Sequence, residues 1–180
     1  AEEHCQQGVM TVTVTSPANG NKKPRVEVHR YDPLTGKRKE EDPIPIAHRG
    51  LLRHAPENTL PAFAACLELG MGFELDIRTT KDGQLVVLHD DSVARTTNGP
   101  AQSVRDMTLA ELKRLDAGSW FDDAFAEVCI PTLEEILSLV ARRKRGRTII
   151  ALNVKDLTRE GASELARVVG KYNARDRDAI

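Results

Sequence analysis

The sequence predicts an α/β fold with a mainly parallel sheet. From Pro43 onward, short strand patterns alternate with amphipathic helix patterns, which is the order in which parallel strands and their crossover helices occur. The patterns amount to about three parallel strands, too few to close an eight-stranded barrel of about 250 residues. We therefore expect a partial α/β domain over residues 44–180 and a chain that is a fragment.

Residues 1–43 follow a different pattern and predict a separate N-terminal appendage or linker. Within them "TVTVT" alternates as a strand does, and "SPANGNKKP" is rich in turn-forming residues. The segment "VEVHRYDPLTGKRKE" combines a strand, a turn and a charged tail.

The first half of the α/β region predicts a strand, a helix and a hairpin. The strand is "IPIAH", and the helix after it has apolar residues at helical spacing, namely Leu60, Phe63, Ala64 and Leu67. Asn58 or Thr59 is expected to cap this helix and Gly70 to end it. The strands "GFELDI" and "LVVLH" are joined by only "RTTKDGQ". This connection is too short for a parallel crossover, so we expect an antiparallel hairpin.

The second half predicts two capped helices, a strand and a last helix. Thr108 with Glu111, and Thr132 with Glu135, have the spacing of a capping box at the starts of "TLAELKRL" and "IPTLEEILSLVARR". The segment "TIIALNV" is predicted to be a strand. The apolar stripe of the last helix consists of Leu165, Val168, Val169 and Tyr172.

Composition excludes several classes of protein. The chain has 26 Lys and Arg against 27 Asp and Glu, so its net charge of -1 provides no basic field for nucleic acid or anionic lipid. No run approaches the roughly 18 apolar residues that a transmembrane segment requires. Three cysteines far apart in sequence indicate neither a disulfide framework nor a zinc site. The compartment stays open between cytoplasmic and secreted or periplasmic.

Two acids on one predicted strand indicate a cation site. Glu74 and Asp76 are two residues apart, so their side chains are expected on one face of the strand and Phe73, Leu75 and Ile77 on the other. Adjacent like charges are unfavourable without a cation between them, and carboxylate oxygens are ligands that Mg²⁺ and Ca²⁺ prefer. From the spacing alone, the alternative is a solvated strand face.

Two histidines at the ends of predicted strands are candidates for acid/base catalysis. His48 precedes Arg49, whose guanidinium offers a fork for phosphate, and Gly50, which permits a sharp turn. His89 precedes Asp90, which would either orient the imidazole ring or cap the next turn. Because imidazole titrates near neutral pH, the two histidines can divide the roles of general base and general acid.

A series of short motifs, in order, resembles those of the glycerophosphodiester phosphodiesterases. The motifs are "HRG" at 48–50, "PENT" at 56–59, "ELD" at 74–76, "TKDG" at 80–83, "LHD" at 88–90, "RTTNG" at 95–99, "LDAGSWF" at 115–121 and "IPTLEE" at 130–135. The resemblance runs from about Pro45 to about Lys155, and residues 1–43 lie outside it.

The resemblance implies a TIM barrel of the phospholipase C-like phosphodiesterase type, of which the chain contains about the first half. It also implies hydrolysis of glycerophosphodiesters to an alcohol and glycerol 3-phosphate with one divalent cation, Mg²⁺ or Ca²⁺. In this family pattern His48 and His89 are the acid/base pair. Glu74 and Asp76 are metal ligands, and Arg49 contacts the phosphate.

The sequence departs from the family at one position of the site. Where the family usually has "Glu-x-Lys" on a later strand, this chain has "NVK", so Asn153 replaces a carboxylate ligand while Lys155 is kept. The amide oxygen of Asn153 can still coordinate Mg²⁺ or Ca²⁺, but one negative charge is lost and we expect weaker metal binding. Lys155 is expected to face a bound phosphate as a point charge.

Two other functions stay open from the sequence. One is a lysophospholipase D-type phosphodiesterase, which needs an apolar groove for an acyl chain. The other is a non-catalytic remnant or binding module, which Asn153 and the incomplete barrel favour. For the enzymes the expected partner is a small-molecule phosphodiester, with no nucleic acid, and the open sheet edge favours self-association of the chain.

Overall fold

The structure, a computed structural model, describes residues 9–15, 25–31, 45–143 and 148–177, and the side chains of residues 45–143 and 148–172. Contacts divide the chain into two units, Ala1–Pro43 and Ile44–Ile180. In the first unit, strands β1 (Val9–Thr15) and β2 (Arg25–Tyr31) form an antiparallel pair. The strand predicted at "TVTVT" is therefore confirmed, and the turn-rich "SPANGNKKP" lies outside the described residues.

The second unit is organised around strand β4 (Gly72–Thr79). Strands β3 (Ile46–Ala47) and β6 (Ile150–Val154) lie parallel to β4, and β5 (Leu85–Val87) lies antiparallel to it. The predicted parallel strands and the hairpin are confirmed. The first strand is shorter than "IPIAH", because the chain turns at His48 after two paired residues.

Four helices lie where the sequence predicts them. They are α1 (Leu60–Glu68), α2 (Leu109–Leu112), α3 (Leu133–Arg143) and α4 (Arg159–Arg177). In the described part of the chain, none of the helices is long and apolar enough to span a membrane.

The main hydrophobic core lies between the sheet and three of these helices. Phe73, Leu75 and Ile77 of β4 are fully buried and pack with apolar residues of α1, α3 and α4. The ring centroids of Phe63 and Phe73 are 4.5 Å apart. Burial of such side chains contributes about 1.5–3 kcal/mol each, so this face anchors β4 and fixes the direction of its opposite face.

Both predicted capping boxes are confirmed, whereas the start of α1 differs from expectation. The Thr132 N–H donates to Glu135 Oε2 at 2.8 Å, and the Glu135 N–H donates to Thr132 Oγ1 at 3.1 Å. Thr108 and Glu111 form the same reciprocal pair at α2. Thr59 is the first residue before α1, but its hydroxyl donates to a backbone carbonyl at 2.6 Å instead of accepting from the helix.

A second, smaller core positions the segment after β5. It consists of buried apolar residues between β5 and the start of α3: Val86, Leu88, Val93, Val104, Met107, Leu112, Ala117 and Ile130. Leu88 and Val93 flank His89 and Asp90 in sequence, so their burial holds this segment against the end of the sheet.

Strand β6 is incompletely covered. It pairs with β4, and among the described strands none pairs with its other edge. Leu152 and Val154 are 38% and 41% exposed, although both lie in register with fully buried residues of β4. Self-association through this edge stays a prediction.

Candidate functional site

The charged side chains of β4 lie on the face opposite the main core. Asp76 has no exposed surface, and Glu74 is partly exposed. Asn153 of β6 is in register with Asp76, so the two side chains share this face. The spacing argument for Glu74 and Asp76 thus agrees with their placement, and Asp76 is buried, unlike a residue on a solvated strand face.

The carboxylate of Asp76 contacts four side chains from separate segments. Its Oδ2 accepts a hydrogen bond from Asn58 Nδ2 at 2.9 Å and lies 3.4 Å from Arg49 Nε. Its Oδ1 accepts from Asn153 Nδ2 at 3.1 Å and lies 3.1 Å from Lys155 Nζ. Burial alone would raise the pKa of Asp76, but the hydrogen bonds from Asn58 and Lys155, with the nearby positive charge, outweigh it and hold that pKa below its ordinary value.

Glu74 links the backbone of Arg49 with His48. Its Oε2 accepts from the Arg49 N–H at 3.2 Å and is 4.0 Å from Nε2 of His48. The His48 side chain is 63% exposed, so its ring is accessible to a ligand on this face.

The segment after β3 adopts a tight turn that directs Arg49 toward Asp76. Arg49 and Gly50 have φ values of 58° and 91°. A Cβ atom at Gly50 would lie 2.6 Å from the Cβ of Ala62 in α1, so only glycine permits this close approach. The turn leaves the Arg49 guanidinium 3.2 Å from Glu57 Oε1.

Asn58 does not cap α1, which corrects one of the two expectations for the start of that helix. It has a φ of 56°, and its side chain binds Asp76 twice. Besides donating through Nδ2, it accepts from the Asp76 N–H through Oδ1 at 3.2 Å. The amide holds a buried carboxylate that lies 18 residues away in sequence, and this long-range contact takes the place of a local cap.

His89 is held through its ring and through its backbone. Its Nδ1 lies 2.7 Å from Asp90 Oδ1. Arg78, on the same face of β4 as Asp76, donates from Nη2 and Nε to the backbone carbonyl of His89 at 2.8 and 3.1 Å. Of the two roles considered for Asp90, the structure has the one that orients the ring.

Sequence reasoning missed two charged residues that connect the segments of the two histidines. Arg95 donates to Glu57 from Nη2 at 2.7 Å and from Nη1 at 3.0 Å, and to Asp90 from Nε at 2.6 Å. Their presence in "PENT" and "RTTNG" was the signal that could have found Glu57 and Arg95. The structure therefore brings His48, Arg49 and the two strand acids into contact, and connects His89 to them through Asp90, Arg95 and Glu57.

The network contains carboxylate oxygens, which are the kind of donor that hard divalent cations bind. Its linked carboxylates are Glu57, Glu74, Asp76 and Asp90, and its cationic side chains are Arg49, Arg95 and Lys155. With neutral histidines, one negative charge remains uncompensated. Within residues 45–143 and 148–172, no three His, Cys, Asp or Glu side chains form a metal site by themselves. Asn153 would be the third ligand, and its amide nitrogen, not its oxygen, faces Asp76.

A protein family and two curated relatives with the same activity in their names match this chain. Residues 48–178 match the glycerophosphoryl diester phosphodiesterase family. A glycerophosphodiester phosphodiesterase of Caldanaerobacter subterraneus subsp. tengcongensis is 43% identical over 139 residues, which make up 75% of this chain and 56% of that protein. One of Bacillus subtilis is 44% identical over 103 residues, which make up 52% of this chain and 35% of that protein.

Solved structures have the same fold over the matched part. A phosphodiesterase of Oleispira antarctica in complex with the product sn-glycerol-3-phosphate has a TM-score of 0.65 at 35% identity, covering 72% of this chain and 53% of that one. The glycerophosphodiester phosphodiesterase of Agrobacterium tumefaciens has a TM-score of 0.62 at 37% identity, covering 71% and 53%. This chain spans about half the length of these two solved structures and between 35% and 56% of the two curated relatives, and the predicted TIM-barrel type is confirmed for that part. The chain belongs to the glycerophosphoryl diester phosphodiesterase family.

Proposed function

We propose that this chain hydrolyses glycerophosphodiesters to an alcohol and glycerol 3-phosphate, with His48 and His89 as the acid/base pair. The main support is that a chain of this family brings His48, Arg49, Glu74 and Asp76 together at one face of its sheet. A solved relative is in complex with sn-glycerol-3-phosphate as its product, which is the compound that the proposed reaction releases.

The reaction needs positive charge near the phosphate. A phosphodiester is anionic and repels an attacking oxygen, so Arg49 and Lys155 would lower the barrier by offsetting the negative charge of the transition state. Arg49 has five N–H donors, more than its contacts with Glu57 and Asp76 use, and it can therefore also contact a phosphate oxygen. One histidine takes the proton of the attacking hydroxyl and the other protonates the leaving alkoxide.

We also propose one divalent cation, Mg²⁺ or Ca²⁺, held by Glu74, Asp76 and Asn153. The carboxylates of Glu74 and Asp76 on one face of β4, with Asn153 in register beside Asp76, support this proposal. When bound, such a cation polarises phosphoryl oxygens as a Lewis acid. Asn153 supplies no charge, so we expect the binding of the cation to be weak.

The test is the release of glycerol 3-phosphate from glycerophosphocholine by the chain, with Mg²⁺ or Ca²⁺ and with EDTA. We expect release with a cation and none from the His48→Ala or His89→Ala variants. His54→Ala is the matched control, since His54 is an exposed histidine of the same segment that has no assigned role. Hydrolysis by a folded variant lacking both His48 and His89 would refute the acid/base assignment.

Two outcomes of the same assay would favour the rival functions. Release of choline and acylglycerol 3-phosphate from lysophosphatidylcholine, with no hydrolysis of glycerophosphocholine, would indicate the lysophospholipase D-type activity. Binding of glycerol 3-phosphate without hydrolysis of either substrate would indicate a binding module. Calorimetric titration of the chain with glycerol 3-phosphate distinguishes this second outcome from a chain that has no function at this site.

A further inference from the structure

We propose that Arg95 is a positioning residue of this site. Through Asp90 it fixes the imidazole ring of His89, and through Glu57 it ties the segment after β5 to the segment after β3. The inference rests on the proposed function, because the orientation of His89 matters for proton transfer only if His89 takes part in hydrolysis. The contacts that carry it are independent of that function.

The guanidinium of Arg95 makes paired hydrogen bonds with two carboxylates at once. Its Nε and Nη2 donate to Asp90 Oδ2 and Oδ1 at 2.6 and 3.1 Å. Its Nη1 and Nη2 donate to Glu57 Oε2 and Oε1 at 3.0 and 2.7 Å. A pair of parallel bonds fixes the relative orientation of two planar groups, which one charge contact does not do. Both carboxylates are therefore held in defined planes.

The bond to Arg95 also stabilises the ionised form of Asp90. The hydrogen bond from Arg95 holds the pKa of Asp90 well below its ordinary value, against the opposing effect of burial. Asp90 is thus an ionised acceptor at neutral pH, and an ionised acceptor 2.7 Å from Nδ1 of His89 favours the ring form that is protonated at Nδ1. In that form Nε2 carries the lone pair and is the nitrogen that can accept a proton.

Glu57, the second carboxylate bound by Arg95, also contacts Arg49, the proposed phosphate-binding residue. Glu57 Oε1, which accepts from Arg95, also lies 3.2 Å from Nη1 of Arg49. Glu57 and Arg95 are 38 residues apart in sequence, so this pair joins two separate segments of the site. The Arg95 side chain is 45% exposed, so its ion pairs are expected to add little to stability. We expect its effect on the site to come from the orientation that it gives to Asp90 and Glu57.

The first test measures the His89 ring without any substrate. The ¹⁵N chemical shifts of His89, assigned with a His89→Gln variant, are compared at a pH where the ring is neutral in the wild-type chain, Arg95→Met and Arg167→Met. Arg167 of α4 is the matched control, because it makes ion pairs with two carboxylates, Glu134 of α3 and Glu164 of α4. We expect the wild-type chain and Arg167→Met to have His89 protonated at Nδ1, and Arg95→Met to shift toward protonation at Nε2.

The second test measures hydrolysis. We expect kcat of Arg95→Met to fall by about 10- to 100-fold, the range typical of residues that orient a functional side chain. KM should change by less than about threefold, since the side chain of Arg95 contacts Glu57 and Asp90 and neither of the proposed phosphate contacts, Arg49 and Lys155. Arg95→Lys keeps the positive charge but cannot make the paired hydrogen bonds, so it should recover only part of kcat. It also serves as a second variant if Arg95→Met does not fold.

The two tests separate the possible failures. If His89 keeps its protonation pattern in Arg95→Met and in Arg95→Lys, the positioning role is wrong, whatever the activity. If the pattern changes but the wild-type chain hydrolyses nothing, the positioning role holds and the proposed function fails. If the pattern changes and kcat does not, Arg95 orients His89 but the orientation has no part in catalysis, which overturns the inference as stated.

Discussion

The two faces of β4 are stabilised by different forces. On one face, Phe73, Leu75 and Ile77 pack among apolar side chains of three helices, and the stabilisation depends on the area removed from water. On the other, Glu74 and Asp76 depend on particular donor atoms from separate segments, within 2.9 to 4.0 Å. Substitutions on the first face therefore test stability alone. Substitutions on the second face test charge and geometry.

The largest effect is expected on the apolar face. Phe73→Ala removes a fully buried ring whose centroid is 4.5 Å from that of Phe63, and it leaves a cavity in the core. We expect a loss of about 3–5 kcal/mol in the free energy of unfolding, measured by urea denaturation. This loss should not depend on divalent cations, because the ring is on the face away from the acids.

Leu152→Ala is the matched control for the apolar face. Leu152 of β6 is in register with Leu75, but it is 38% exposed. Because part of its surface stays in water, we expect its truncation to cost less than about 1.5 kcal/mol. A cost equal to that of Phe73→Ala would mean that β6 is covered in solution, for example by another copy of the chain.

The next largest loss of stability is expected when the buried carboxylate of the polar face is neutralised. Asp76→Asn leaves Arg49 and Lys155 without the carboxylate that they share. We expect a loss of about 2–3 kcal/mol in the absence of divalent cations, somewhat less than for a fully buried pair, because both cations are partly exposed. Glu74→Gln, in which the amide oxygen can still accept from the Arg49 N–H, should cost less than half as much.

The stability contributed by the Asp76 carboxylate depends on pH. The pKa of Asp76 is lower in the folded chain than its ordinary value, so the ionised group stabilises the fold above about pH 3.9. This contribution is lost as the pH falls from there through the lower pKa of the folded state. The difference in unfolding free energy between wild type and Asp76→Asn should therefore be constant near neutral pH and shrink in acid. A difference that grows in acid would contradict the direction of the shift.

The two faces also differ in how well the sequence predicts them. The apolar face follows from local periodicity, since alternate residues of a strand and every third or fourth residue of a helix point to one side. The residues of the polar face were predictable one by one, but their partners were not. Asn58, for example, has the local sequence context of a helix cap. It makes hydrogen bonds with Asp76 only because the fold places β4 beside it. No periodic pattern in the sequence identifies Glu57 or Arg95. Their pairing depends on how the fold brings together two turns that are 38 residues apart.

The smallest effect expected is at a polar contact that supports the apolar face. Thr132 and Glu135 cap α3, whose Leu133 and Ile136 are fully buried in the main core. Thr132→Ala removes the acceptor for the Glu135 N–H, and we expect a loss of about 1 kcal/mol in urea denaturation. Thr132→Ser keeps the hydroxyl and should retain most of the stability. A loss of several kcal/mol would mean that the cap sets the position of α3 against β4, and the stability of the apolar face would then also depend on a directional contact.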